Sequence, residues 1–144
     1  MFIESLTLFA ASVAAQAPAH NVTVEHRGTP IVLSYQAVTE ISHRQVGAAT
    51  PAGVPSSLRC TWEATVSVQR TAERAGEAVP ALTRRLPETE RLTGSRPGPC
   101  AGARDAIARE VAASSERVSA HLIEVAERDR AEIHAELESV RNLG

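Results

Sequence analysis

Arg59-Cys60-Thr61-Trp62-Glu63-Ala64-Thr65-Val66-Ser67-Val68-Gln69-Arg70 alternates apolar and polar residues without a slip. A side-chain period of two is the mark of a strand with one buried face. Cys60, Trp62, Ala64, Val66 and Val68 point to one side, and Thr61, Glu63, Thr65, Ser67 and Gln69 to the other. The buried side carries the only Trp of the chain and one of its two Cys residues.

Upstream, His20 to His26 alternates in the same way, and Arg27-Gly28-Thr29-Pro30 reads as a four-residue turn. Pairing His26 with Ile31 then sets Val24 opposite Leu33 and Val22 opposite Tyr35, so the apolar sets share a face. The second strand runs from Ile31 to about Val46. Gly47 to Ser57, with two Pro and two Gly, is a loop. A meander through that loop places Trp62 near His43 and Ala64 near Ile41 on the same inner face.

Downstream, residues 71–102 are broken repeatedly by Gly76, Pro80, Pro87, Gly94, Pro97 and Gly98 and read as irregular. Leu82, Leu86 and Leu92 suit at most a fourth strand at an edge, where Pro87 is tolerable. From Ala103 to Leu143, Ile107, Val111, Val118, Leu122, Val125, Ile133, Leu137 and Val140 keep to one helical stripe. Such a helix is about 60 Å long, against about 40 Å for a twelve-residue strand. Asp129 and Glu136 project onto its apolar face, so the helix is expected to break or leave the core near Glu127 to Arg130. The overhang, from about Ala131, then offers Ile133, Leu137 and Val140 as a surface for a protein partner or self-association. The expected architecture is α+β: a three- to four-stranded antiparallel meander covered by one long C-terminal helix.

Composition narrows the function classes. The chain has 144 residues, enough for one domain, with 43% hydrophobic residues and a net charge of -2. All fifteen basic residues are Arg, which we attribute mainly to coding bias. Acids slightly outnumber bases and no basic cluster is interleaved with aromatics, so no nucleic-acid partner is expected. Residues 1–17 have the length and the small-residue end of a signal peptide, although Glu4 stands where a basic residue is usual. Cleavage after Ala15 or Ala17 would leave a single domain, residues 18–144, with no transmembrane span and a periplasmic or secreted location. An N-terminal helix of the folded domain is the alternative. An exported chain with two Cys residues is expected to bridge Cys60 to Cys100, and a cytosolic one to keep two buried thiols. Closing a loop of about forty residues contributes roughly 4 kcal/mol in the chain-entropy model.

No nucleophile-base pair, no carboxylate pair on rigid elements and no phosphate-binding loop stands out as a motif, so the expectation is a non-catalytic protein without a cofactor. The alternative is a small-ligand or metal-binding protein of the periplasm, with a pocket near Tyr35, His43 and Trp62. His20 is a metal candidate in one case only. A mature chain beginning Pro18-Ala19-His20 could wrap Cu(II) or Ni(II) in a square-planar nitrogen set.

Overall fold

The structure is a computed structural model that describes residues 17–142, with side chains to residue 139. Among the described residues five strands, β1 (Ala19–His26), β2 (Thr29–Val46), β3 (Arg59–Arg74), β4 (Glu77–Ala78) and β5 (Arg84–Pro97), precede two α-helices, α1 (Arg104–Ala112) and α2 (Ser115–Asn142). All the strands pair antiparallel, with β2 between β1 and β3. The far side of β3 is shared by the short β4 and the long β5. Both helices lie on one face of this sheet, which makes the protein α+β, as its alternating strands and striped C-terminal segment require.

Parity along β3 holds throughout. Cys60, Trp62, Ala64, Val66, Val68 and Ala72 are buried against Ile107, Val111, Val118, Leu122, Val125, Ile133 and Leu137 of the helices. On the other face Thr61, Glu63, Thr65, Gln69 and Thr71 are only partly buried. The β2–β3 register sets His43 opposite Trp62 and Ile41 opposite Ala64, as expected from the alternation.

The first hairpin differs from its expected register by two residues. His26 pairs with Thr29, so Val24 faces Ile31 and Val22 faces Leu33. A two-residue loop is possible because Arg27 and Gly28 both take positive φ, 55° and 79°, as a hairpin turn of type I′ needs. Pro30 can then sit inside β2, because the ladder on the β3 side begins only at Ile31. A slip of two keeps every side chain on its expected face.

Residues 71–102 are far more regular than their Gly and Pro content suggested. β3 continues to Arg74, and β5 pairs with β3 from Arg59 to Arg70. The register jumps from Ser67–Thr89 to Val68–Leu86, leaving Pro87 and Glu88 unopposed in a bulge on an edge strand. Gly94, expected in irregular chain, lies opposite Trp62. A Cβ at Gly94 would lie 2.6 Å from the indole Nε1, so the missing side chain is what lets the ring lie over β5. Gly94→Ala is therefore expected to cost about 1–3 kcal/mol and to lower the melting temperature by several degrees, read by thermal unfolding followed at Trp62.

The helical segment also departs from expectation. It breaks at Ala113–Ser114, where Ala113 N–H donates to Arg109 O and Ser114 N–H to Val111 O. It runs unbroken through Glu127 to Arg130. Asp129 stays in the interface because an arginine waits for it in the sheet.

Candidate functional site

Arg70 is the last inward residue but one of β3, fully buried beneath α2. An unpaired guanidinium there would be prohibitively costly, and two segments, α2 and the turn at Pro80–Leu82, supply its acceptors. Its Nη1 donates to both carboxylate oxygens of Asp129, at 2.7 Å each. Its Nε donates to the Leu82 carbonyl at 2.9 Å, and its Nη2 pairs with Glu136. Tyr35 of β2 donates its hydroxyl to Asp129 Oδ2 at 2.7 Å. At the rim, Arg84 reaches Glu132 at 3.0 Å and Glu136 at 3.3 Å.

The electrostatics follow from this packing. Burial pushes the Tyr35 phenol well above its ordinary range, and the hydrogen bond to Asp129 adds to the shift. Burial disfavours the Arg70 cation, but the hydrogen bond and charge of Asp129, with Glu136, outweigh it and raise its pKa. A phenol held neutral and a carboxylate already bonded to two donors are poor tools for proton transfer. The cluster can instead fix α2 on the sheet, since sliding or turning the helix would draw Asp129 and Glu136 away from Arg70 and Asp129 away from Tyr35.

The expected site residues fall in three separate places. Tyr35 belongs to the buried cluster and lies eight residues along β2 from His43, about 27 Å in a strand. The proposed pocket of Tyr35, His43 and Trp62 therefore does not form as one site. His43 and Trp62 adjoin each other and help line a shallow depression of about 570 Å³ with Ser42, Arg44, Thr61, Glu63, Thr93 and Ser95. His43 Nε2 and Trp62 Nε1 are buried, without a hydrogen-bonding partner among the described residues.

Ile133 and Leu137 are buried against the sheet, so they belong to the core rather than to an overhang that a partner could grip. β3 runs to 16 residues rather than the twelve expected, and with the 18 residues of β2 it gives α2 enough sheet to cover. The side chain of Val140 lies outside the described residues. So does the expected leader, apart from Ala17.

Cys60 and Cys100 form a disulfide with their Cα atoms 4.8 Å apart, as expected. His20 sits in β1 opposite Tyr35, their ring centroids 6.5 Å apart. Ala19 and His20 are paired to β2, and the Pro18 carbonyl accepts from Ala37 N–H. A square-planar metal site on Pro18–His20 would have to take backbone nitrogens from that paired segment. Among the described residues no group of three or more His, Cys, Asp or Glu side chains could hold a metal ion. No described helix is long and apolar enough to cross a membrane.

The class that these features define is an α+β protein, a disulfide-tied antiparallel sheet clamped to its helix by a buried ion-pair cluster. Comparisons with protein-family models, with curated proteins and with solved structures found no match.

Proposed function

We propose that the protein is a non-catalytic interaction or structural module of the cell envelope, working outside the reducing cytosol. The observation that carries this reading is the Cys60–Cys100 disulfide, which is compatible with an oxidising compartment. The signal-like residues 1–17 support the same location. The chief polar cluster supports a structural role, because its carboxylates and guanidinium bond one another. With Ile133 and Leu137 in the core, those two side chains are not part of the partner surface.

The test is an intact mass of the protein from its own host, with and without reduction. A chain beginning at Gln16 or Pro18 and gaining about two daltons on reduction is expected. A chain that keeps residues 1–17 and two free thiols would overturn the envelope reading.

A second reading, binding of a small polar ligand, is favoured by the depression beside Trp62. It predicts that such a ligand changes Trp62 fluorescence, which a partner bound elsewhere would leave alone.

A further inference from the structure

β1 covers β2 only from Thr29 to Gln36, and the bond from Ala37 N–H to Pro18 O ends that pairing. From Val38 to Val46 no described residue pairs with the outer edge of β2, while β3 pairs with the inner one throughout. Backbone groups point alternately to the two sides of a strand. Because Ala37 N–H points away from β3, the amides and carbonyls of Thr39, Ile41, His43 and Gln45 also face the open edge. Proteins ordinarily blunt such an edge with charged side chains, Pro, a bulge or very short length, and the charges here, Glu40 and Arg44, are of opposite sign. The β5 edge has its Pro87 bulge, whereas residues 38–46 contain neither Pro nor bulge.

The edge is also self-complementary. Laid antiparallel on a second copy about a two-fold axis at Ser42, it sets Val38 opposite Val46, Thr39 opposite Gln45, Glu40 opposite Arg44 and Ile41 opposite His43. The parity fits, since the residues whose amides face outward then meet one another. Glu40 and Arg44 are both exposed, and no side-chain ion pair joins either within the described residues. In this register each finds an opposite charge directly across the strands, twice per pair of copies. Beneath the edge runs an apolar groove of about 320 Å³, lined by Thr39 and Ile41 on the sheet side and Val111 and Val118 on the helix side. The small exposed residues Ala108, Ala112 and Ser115 form its outer wall and leave room for the inward side chains of an added strand.

We propose that two copies of this chain associate through residues 38–46 of β2, joining their sheets edge to edge with Glu40 of each copy opposite Arg44 of the other. This rests on the interaction-module reading and names its partner. A monomer would sink the dimer and leave the mass test of that reading untouched.

The experiment is sedimentation equilibrium on the protein recovered from its own host, with Glu40→Arg, the double variant Glu40→Arg/Arg44→Glu, and Thr39→Pro. A dimer is expected. Glu40→Arg should weaken it about tenfold or more, because two attractive pairs become repulsive, and the double variant should restore it. Thr39→Pro removes one outward amide and should give monomers. Both charged positions are exposed, so their variants keep the fold, which far-ultraviolet circular dichroism checks. A monomeric protein overturns the proposal, including one whose Thr39, Ile41, His43 and Gln45 amides exchange slowly because residues 1–16 cover the edge. A dimer indifferent to Glu40→Arg, or one that the double variant fails to restore, overturns it equally.

Discussion

Asp129→Ala is expected to destabilise the protein by about 3–5 kcal/mol. Asp129 is 4% exposed and Arg70 is 0% exposed, so the variant leaves a buried guanidinium short of its main acceptor and orphans the Tyr35 hydroxyl. Glu136 and the Leu82 carbonyl remain to Arg70, which keeps the loss finite. The measurement is urea unfolding followed at Trp62, where the midpoint should fall with little change in slope. The double variant Arg70→Met/Asp129→Leu separates stability from positioning. Replacing a buried ion pair with packed apolar groups is often neutral or stabilising, so the double variant should recover much of the loss. If the cluster's role is to select one seat for α2, the recovered protein will nonetheless show more than one helix position by nuclear magnetic resonance.

The same cluster sets an alkaline limit. In the unfolded chain Tyr35 ionises near pH 10, and in the fold its pKa is higher. Above pH 10 the unfolded state therefore releases a proton that the folded state still holds, and stability falls as pH rises toward the folded value. Below pH 10 the contribution is present in full. Tyr35→Phe removes this slope and loses one hydrogen bond, which a pH series of melting temperatures resolves.

The sheet was legible because parity is unforgiving. A slip of one residue in β2 or β3 would have put Val66 or Leu33 in water, so alternation alone placed His43 opposite Trp62. A slip of two carries no such signal, and the β1–β2 register turned instead on whether Arg27 would accept a positive φ. β5 was hidden because Pro and Gly are read by their average behaviour. At an edge, Pro87 in a bulge and Gly94 under an indole are compatible with a strand, and nothing local to residues 84–97 reveals the neighbour that makes them so.

The buried cluster was written in two anomalies that had to be read together. Arg70 extends the inward parity of Trp62 and Val68, and Asp129 interrupts the apolar stripe of α2. Each alone reads as the end of its element. Together they are opposite charges on two surfaces already expected to face each other, so each element continues through the point where it seemed to stop. The open edge of β2 was legible in neither way, because it depends on how far β1 reaches along its neighbour.

Breaking the Cys60–Cys100 bridge is the second large expected effect, about 4 kcal/mol whether by reductant or by Cys60→Ala/Cys100→Ala. In the chain-entropy model the bridge acts on the unfolded state, by closing a loop with a sequence separation of 40. That loop contains the rest of β3 and the whole of β4 and β5. Much of β5 is polar, with Leu86 and Leu92 its buried apolar residues, so hydrogen bonding to β3 and the closed loop must do more to hold it than burial does. Reduction should therefore loosen β5 and the turn at Cys100–Gly102 before it unfolds the β2–β3 pair. Hydrogen exchange checks this order: the amides of Leu92, Gly94 and Arg96, which face β3, should lose protection on reduction while those of Thr65, Ser67 and Gln69, which face β2, keep it, and uniform loss would refute it. Single domains are stable by about 5–15 kcal/mol, so a loss of about 4 is a large share of the total. If a chain without the bridge is marginal at its working temperature, the fold itself requires an oxidising compartment, and the location follows from stability rather than from the N-terminal segment alone.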